Sequence, residues 1–393
     1  MTKVSSRLVF YFPGFDPLDA VAHQRRYARS AAQSGATFGV DYTVGNVIRS
    51  EGGDRMDVRA VHDGHTTRAT IYIHDHNDLI SQLRDAPVWK QIALGFEAGQ
   101  GIVREGGAAA YFKHAWRFGL FFLFPFLFIL LGGIGALFIA VLPLLLGVSA
   151  LLLVLTIPLA WLFFMKGVMP FSERFHTLHL FADWRFALKV AQEDPMARDW
   201  IEKKAELVLK ALEQPADEVL FVSHSMGASL ALAVAGRLLE LKADAFTNRR
   251  VTFVTLGGAA LQCGLLSSAA RLRQSIGVMA HHEDVVWFDI QCLTDPIHLY
   301  KCNTAELTGH EDAPQPTIVP IRFKHSLSDE RYRKNKRNFL RMHRQYVLGS
   351  DRASGYDFAL LTAGPLPAAS FANLRSSRPP QMQYSPGTGA CDV

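Results

Sequence analysis

A long uncharged stretch in the middle of the chain constrains its fold more than any other feature. Residues 118–165 contain no Asp, Glu, Lys, Arg or His. As one helix rising about 1.5 Å per residue they would extend about 72 Å, more than twice the roughly 30 Å hydrocarbon core of a bilayer. The stretch is therefore too long for one crossing. It predicts a hairpin of two transmembrane helices, over residues 117–137 and 141–165.

The hairpin is expected to reverse near residues 132–135 or near Pro143, because glycine and proline loosen the backbone there. Basic residues flank both ends, namely Arg104, Lys113 and Arg117 before the stretch and Lys166 and Arg174 after it. Since basic flanks are typical of segments that stay on the cytoplasmic side, both ends are expected to face the cytoplasm. The alternatives are a buried hairpin of a large soluble core, a single long span and a re-entrant loop.

Positive charge is concentrated in one segment near the end of the chain. The 393 residues carry a formal net charge of +5, and residues 322–344 hold nine Lys or Arg against Asp329 and Glu330. This segment predicts either contact with anionic lipid head groups or a solvated helix face. Nucleic acid is not an expected partner, because no recognisable binding motif accompanies the charge.

The cysteines predict a reduced protein. Cys263, Cys292, Cys302 and Cys391 show no paired spacing and no histidine partners at metal-ligand intervals, so they are expected to be free thiols. No metal or cofactor is expected, since no phosphate-binding glycine motif follows a predicted strand. The polar clusters at 74–78 and 281–284 are interpreted as a helix start and a turn. The first 30 residues lack a signal-peptide pattern, so targeting is expected to fall to the hairpin.

The second half of the chain alternates strands with helices. Strands are predicted at 218–222, 251–256, 277–280, 285–291 and 317–323, with helices at 226–241, 261–274 and 339–348 between or after them. The first half predicts strands at 7–12, 37–49, 56–62 and 67–74 and a helix at 78–96. This alternation predicts an α/β fold, with a mainly parallel sheet covered by helices on both faces.

The predicted strand 218–222 runs directly into a candidate catalytic turn. The run Ser-His-Ser-Met-Gly at 223–227 has small residues two positions either side of Ser225, and an alanine-rich helix follows. A nucleophile elbow needs this order, because the serine occupies a tight turn and the helix amides point at the reacting oxygen. The usual pattern is G-x-S-x-G. Ser223 stands at the first glycine position and departs from the pattern, whereas Gly227 matches the second glycine. The alternative is an ordinary turn with Ser225 as a helix cap.

These features resemble the α/β-hydrolase superfamily of serine esterases, lipases and thioesterases. The loop Tyr-Phe-Pro-Gly-Phe-Asp-Pro at 11–17 is also similar to that of uncharacterised bacterial membrane-associated members. The resemblance covers roughly residues 7–348 outside the hairpin, and only the elbow is a sharp motif. It implies an oxyanion hole from the amides of Met226 and of Gly14 or Phe15. An ordinary turn at 13–14 is the alternative.

An acid and a base are expected after the nucleophile. Asp295 follows the predicted strand 285–291, as in the superfamily, whereas Asp289 lies within that strand and is a poorer choice. His343, early in the last helix, is the first choice of base. The alternative base is His325, which follows the last strand. The resulting order of Ser225, Asp295 and His343 is that of α/β-hydrolases.

The predicted organisation has four parts. Residues 1–112 and 169–350 form the two halves of a hydrolase domain, 113–168 form the hairpin, and 351–393 form an extension that is disordered from about 375. The predicted function is a membrane-anchored serine hydrolase that cleaves acyl esters or thioesters through an acyl-enzyme. Its partners would be the lipid bilayer and a small acyl-ester or lipid-like substrate. The expected location is a bacterial inner membrane with the domain in the cytoplasm; the alternative is a catalytically inactive membrane scaffold.

Overall fold

A mixed β-sheet forms the centre of the molecule in this computed structural model, which describes residues 3–381. Its strands are β1 Ser6–Phe12, β2 Asp41–Val44, β3 Ile48–Ser50, β4 Gly53–His62, β5 His65–Ile73, β6 Glu218–His224, β7 Val251–Leu256, β8 Val285–Cys292 and β9 Thr317–Ile321. They lie in the order β2-β4-β5-β1-β6-β7-β8-β9, and β3 pairs with β4.

Most of the sheet is parallel. Strands β5, β1, β6, β7, β8 and β9 pair in parallel, whereas β2, β3 and β4 form an antiparallel edge. Side chains of β1 alternate between two cores: Phe10 packs in the core on one face and Val9 in the core on the other. Strands buried on both faces need an apolar residue at nearly every position. The predicted α/β fold with a mainly parallel sheet is therefore confirmed.

Helices occupy both faces of the sheet. They are α1 Ala20–Phe38, α2 Asn77–Arg84, α3 Val88–Arg104, α4 Gly107–His114, α5 Trp116–Leu145, α6 Leu153–Leu162, α7 Met169–Glu173, α8 Thr177–Ala191, α9 Pro195–Ala211, α10 Gly227–Leu241, α11 Ala260–Gly264, α12 Ala270–Ala280, α13 Phe323–Ser326, α14 Asp329–Asn335, α15 Phe339–His343 and α16 Phe358–Ala363. Short 3-10 turns cover Ala150–Leu152, Glu306–Thr308, Arg344–Val347 and Ala368–Asn373, and Phe163–Val168 is π-helical.

Two helical segments of the described chain are long and apolar enough to cross a membrane. They are Trp116–Leu145 and Ala150–Glu173, whose most apolar 18 residues have mean hydropathies of 2.6 and 2.1; 11% of those residues are buried in each segment. The chain reverses after α5 at Gly147, whose φ of 65° lies in the left-handed region. The two segments contact each other, and the Thr156 hydroxyl donates a hydrogen bond to the Ala140 carbonyl at 2.9 Å.

The reversal predicted near residues 132–135 is wrong, and the alternative near Pro143 falls four residues short of the turn at Gly147, so the predicted spans 117–137 and 141–165 do not match the two segments. Residues 132–135 and Pro143 lie inside α5, which continues to Leu145. Gly132 instead faces Val168 of the returning segment, where a Cβ atom would overlap the valine side chain. Glycine at this position therefore lets two helices approach closely rather than turning the chain.

The first half of α5 is rooted in the domain. Aromatic side chains of this half surround the buried Trp184 of α8, with the Phe122 ring centroid 4.9 Å from that of Trp184. These side chains are buried: Phe118, Phe121, Phe122, Phe126. From Leu130 onward, most large side chains of the hairpin are exposed. The outer part of the hairpin therefore presents most of its unpartnered apolar surface.

Residues 351–376 pack against the sheet. The buried Arg7 of β1 forms an ion pair with Glu218 of β6 and donates hydrogen bonds to the carbonyls of Leu361 and Leu366 at 2.9 and 2.6 Å. Ser376 accepts a hydrogen bond from the Arg322 amide at 2.8 Å. The extension predicted to be disordered from about 375 thus keeps contacts as far as Ser376, and its remainder from 382, including Cys391, lies outside the described residues.

Several local predictions differ from the structure. The predicted helix 78–96 is divided into α2 and α3, and the predicted strand 37–49 holds the end of α1 followed by β2 and the start of β3. Residues 277–280, predicted as a strand, complete helix α12, since apolar residues in a run this short fit either structure. Helix α1 was not predicted, because its many Ala, Arg, Gln and Ser residues give no strong apolar stripe. Its start is nonetheless marked by Asp19, whose side chain accepts a hydrogen bond from the Ala22 amide at 2.8 Å.

Candidate active site

Ser225 lies in a strained turn between β6 and α10. Its φ is 53°, a left-handed value that is uncommon for residues other than glycine. Such a conformation costs about 1–3 kcal/mol and persists only where the surroundings fix it. Here the Ser225 amide donates to the Leu256 carbonyl at 3.2 Å, and the Ser225 carbonyl accepts from the Ala228 and Ala259 amides, both at 3.0 Å. The turn holds the serine side chain out of the sheet, as a nucleophile elbow requires.

Gly227 permits this turn because it lies directly on the backbone of the early loop. A Cβ atom at this position would overlap the carbonyl oxygens of Phe12 and Pro13. The contact follows from the sheet, in which β1 pairs with β6 and Phe12 is opposite Ser223. The structure therefore brings the loop at 13–16 against the turn at 223–227.

Gly14 makes the closest approach to the serine. A Cβ atom built on Gly14 would lie 3.1 Å from the Ser225 Cβ and 2.8 Å from Nδ1 of His224. The amides of Gly14, Phe15 and Met226 donate no hydrogen bond to any other group among residues 3–381. Amides without acceptors beside a serine are available to a ligand oxygen.

His343 and Asp295 form a buried pair beside this turn. Nδ1 of His343 lies 2.8 Å from Oδ2 of Asp295, and the other carboxylate oxygen accepts from the Ile297 amide at 3.0 Å. His298 Nδ1 is 3.3 Å from Oδ2 of the same carboxylate. Burial alone would raise the pKa of Asp295, but the His343 imidazole, its hydrogen bond and the nearby His298 ring hold this pKa well below its usual range. The acid therefore stays ionised at neutral pH.

The second nitrogen of His343 is free. Nε2 is buried and has no hydrogen-bond partner in the part of the chain that the structure describes. His343 and Ser225 line the same cavity, although the Ser225 hydroxyl forms no hydrogen bond within residues 3–381. Catalytic hydrogen bonds are often long without substrate and tighten when it binds. An imidazole with a bonded Nδ1 and a free Nε2 can accept a proton at Nε2.

The alternative base and acid lie elsewhere. His325 is on α13, where its Nδ1 is 3.1 Å from the Ser376 hydroxyl, and it does not line the cavity of Ser225. Asp289 is buried in β8 and accepts a hydrogen bond from the Gln291 side chain at 2.7 Å. Of the sequence candidates, the structure brings together Ser225, Asp295 and His343, as well as the three proposed oxyanion amides.

A cavity opens beside the Ser225 side chain. Its apolar walls come from four regions of the chain, with Phe15 from the early loop, Phe121 from α5, Leu180 from α8, and Ile297 and Leu340 from the C-terminal half. The wall from α5 was not foreseen, because the uncharged stretch was expected to lie entirely in lipid. One side of the cavity is thus the root of the hairpin.

Charged groups form a second wall. Asp16 lies between two guanidinium groups, 2.7 Å from Arg344 and 2.8 Å from Arg26. Burial would raise the pKa of Asp16, but Arg344 and Arg26 hold it well below its usual range. His224 is neutral, because burial and the nearby His343 lower its pKa to about 3. The Asp16 network fixes the early loop against the segment that carries His343.

Sequence reasoning missed the charged groups of the cavity on α8 and in the last helical turn. Arg344 adjoins the predicted base but carried no signal of its own. Asp183 and His179 lie one turn apart on α8, a spacing typical of any helix face. Only their position in the fold identifies them.

The described residues include no group of three or more His, Cys, Asp or Glu that could hold a metal ion. His76, in the polar cluster predicted to start a helix, immediately precedes α2, and its ring stacks on Phe186 with centroids 5.4 Å apart. Burial lowers the pKa of His76 to about 3, so it packs as a neutral aromatic side chain. The predicted structural role of this cluster matches its position.

Comparison of the chain with family models, curated proteins and solved structures finds no match.

Proposed function

We propose that this protein is a membrane-anchored serine hydrolase of the α/β-hydrolase superfamily. One observation carries the proposal. A serine held in a left-handed turn at the end of a central strand shares a cavity with a histidine whose Nδ1 is bonded to a buried carboxylate and whose Nε2 is free. The substrates would be acyl esters or thioesters, and no metal or cofactor is needed for the steps that follow.

In the proposed reaction, His343 Nε2 takes the proton of the Ser225 hydroxyl while Oγ attacks the acyl carbonyl carbon. The tetrahedral intermediate collapses when the same imidazolium returns its proton to the departing alcohol or thiol. An acyl-serine remains. Water or another acceptor then attacks the acyl carbonyl carbon while His343 takes its proton, and the imidazolium returns this proton to Oγ of Ser225 as the acyl product leaves. Asp295 stays ionised, keeps the Nδ1 proton in place and stabilises the imidazolium.

The oxyanion of each intermediate would be bound by backbone amides. Met226 supplies one, and Gly14 or Phe15 supplies the other from the loop that lies against the elbow. Each such donor typically contributes about 3 kcal/mol to transition-state stabilisation. The start of α10 immediately after Ser225 adds the partial positive charge of a helix N-terminus.

The order of elements also supports this assignment. The strand that leads to Ser225 neighbours the strand that leads to the early loop. The candidate acid follows β8, and the candidate base follows β9 on α15. Active sites of open α/β sheets lie at the carboxyl ends of the strands, where all these residues are found.

The hairpin supplies the membrane anchor in this proposal. Its outer part is apolar and exposed, while its root is packed in the domain. The early loop precedes the hairpin and Ser225 follows it, yet they touch. The chain must therefore cross the membrane an even number of times, and two helices satisfy this requirement. Basic residues at both ends favour a cytoplasmic domain, and the likeness to bacterial membrane-associated members suggests a bacterial inner membrane.

A fluorophosphonate probe tests the catalytic proposal, because it labels only an activated serine. The wild-type protein in detergent is expected to be labelled, and Ser225→Ala is expected not to be. Ser223→Ala is the matched control, since Ser223 is a serine two residues away whose hydroxyl faces the Val254 carbonyl at 3.3 Å. Absence of labelling in the folded wild type would favour a catalytically inactive membrane scaffold.

Shortening the hairpin tests the anchor. Gly132 and Val168 face each other, so residues 133–167 can be replaced by a short Gly-Ser linker without stretching the ends. This variant is expected to leave the membrane fraction and keep its labelling. A variant that lacks residues 118–172 also loses the aromatic side chains around Trp184 and is expected not to fold. Membrane retention of the first variant would place the anchor elsewhere.

A further inference from the structure

A second carboxyl group faces the cavity of Ser225 and has no part in the proposed triad. Asp183 lies on α8, lines the same cavity as Ser225 and His343, and is 9% exposed. Its Oδ2 accepts a hydrogen bond from the Gln262 side chain at 2.9 Å. Its other oxygen accepts no hydrogen bond from the residues that the structure describes.

The surroundings of Asp183 hold it in place. Gln262 is itself fixed, because its backbone carbonyl accepts a hydrogen bond from the buried Tyr111 hydroxyl. Trp184 and the aromatic root of α5 pack behind the same stretch of α8. A buried acid with one oxygen bound by the protein and one oxygen left to a cavity is poised to bind a ligand group.

The chemistry of the cavity narrows the nature of that group. The remaining oxygen can accept a hydrogen bond, and apolar side chains form much of the wall around it. The Arg344 guanidinium in the same cavity is already paired with Asp16, so an uncharged hydroxyl group can bind the remaining oxygen without meeting an unpaired charge of either sign from that pair. Burial raises the pKa of Asp183 to about 6, so above that pH the group is an ionised acceptor. A hydroxyl bonded to a carboxylate forms a strong, short hydrogen bond.

We infer that Asp183 is a specificity-determining residue that binds a hydroxyl group of the substrate close to the scissile acyl bond. The inference rests on the proposed function and adds the substrate class, which is hydroxylated acyl esters. The hydroxyl can belong to the acyl chain, as in a 3-hydroxyacyl ester, or to the alcohol, as in an acylglycerol. Sites that hydrogen-bond a substrate hydroxyl discriminate strongly against the analogue that lacks it, because the protein group is then left unpaired.

Two matched substrate pairs test the inference and separate its two sources. The acyl pair is the p-nitrophenyl ester of 3-hydroxyoctanoate against that of octanoate, and the alcohol pair is 1-octanoylglycerol against propyl octanoate. At pH 8, the full-length protein in detergent is expected to prefer the hydroxylated member of one pair by about tenfold or more in kcat/KM. The preference should appear chiefly in KM, because the hydroxyl is not a reacting group.

Variants of Asp183 complete the test. Asp183→Leu is expected to bring the preference to within twofold of unity while the octanoate ester is still cleaved. Asp183→Asn keeps its carbonyl oxygen toward the Gln262 side chain and turns its NH₂ group to the cavity, where it can still donate to the substrate hydroxyl oxygen, so it should retain part of the preference. The ratio of kcat/KM values within each substrate pair is measured on the wild type, so it tests the inference even where Asp183→Leu fails to fold.

Three results would overturn the inference. They are equal turnover within both pairs by the wild type, a preference for the deoxy members, and a preference that Asp183→Leu leaves intact. Turnover without preference would refute the role of Asp183 and leave the serine hydrolase standing. Absence of both turnover and probe labelling would remove the proposed function and this inference together.

Discussion

Replacement of Asp295 by asparagine tests the arrangement of the site most directly. The Ile297 amide donates to Oδ1 at 3.0 Å and His343 Nδ1 lies 2.8 Å from Oδ2. An asparagine that keeps its oxygen toward the Ile297 amide presents its NH₂ group to Nδ1 of His343. Nδ1 must then accept a hydrogen bond, and the imidazole proton moves to Nε2. An imidazole protonated at Nε2 cannot take the proton of Ser225.

The expected loss is large. A wrong tautomer of the base lowers kcat about 10⁴-fold in triads of this kind, which corresponds to about 5.5 kcal/mol in the activation barrier. The assay is the rate of fluorophosphonate labelling together with kcat for a p-nitrophenyl ester, on protein shown to be folded by its thermal transition.

Asp289→Asn is the matched control. Asp289 is also a buried aspartate of the same region, but it bonds to Gln291 and not to a histidine. Burial raises its pKa, so a neutral amide is a close substitute. Labelling by this variant should stay within a few-fold of the wild type. A rate for Asp295→Asn within tenfold of the wild type, or an equal loss in both variants, would refute the proposed role of Asp295.

Three further variants probe the fold and the cavity. Gly227→Ala should lower probe labelling at least tenfold, because its Cβ would overlap carbonyl oxygens of the early loop; Gly133→Ala, with open space around it, should label normally. Arg7→Met should lower the free energy of unfolding by about 3–5 kcal/mol, because it leaves the buried Glu218 carboxylate without its ion-pair partner. Adding Glu218→Leu to this variant should restore much of the lost stability, as measured by thermal unfolding. Burial raises the pKa of Asp183 from 3.8 to about 6, so ionisation destabilises the folded wild type as pH rises through this range. The free energy of unfolding of Asp183→Asn, relative to that of the wild type, should therefore rise by up to about 3 kcal/mol between pH 4 and pH 8. A difference between the two proteins that stays constant with pH in denaturation experiments would contradict this reasoning.

Sequence reasoning located the candidate site where the signal was local. Ser225 was found because the strand before it, the small residues around it and the helix after it are all contiguous. Asp295 and His343 were found because each follows a strand or begins a helix in the second half of the chain. The sequence favoured His343 but left His325 open, because both lie beyond β9. The contacts distinguish them, since His343 binds Asp295 whereas His325 binds Ser376.

Other features depended on contacts between distant segments. Asp183 belongs to an ordinary helix, and it faces the cavity only because α8 packs beside α5 and Gln262. Phe121 lies in the uncharged stretch, where composition does not distinguish a side chain bound for the protein core from one exposed on the hairpin. The true reversal at Gly147 was missed for a related reason, since glycines that pack two helices together look like glycines that turn a chain.

The position of β1 has a consequence for how this protein is made. β1 lies between β5 and β6, and about 200 residues separate it from β6 along the chain. At about 5–20 residues per second, synthesis of that interval takes on the order of 10–40 s. During this time one edge of β1 has no neighbour, and such an edge can pair with other chains. The apolar hairpin leaves the ribosome within the same interval. In the membrane-anchored form proposed above, the hairpin would insert before the sheet is complete, and the unfinished domain would be held at the bilayer rather than free to aggregate.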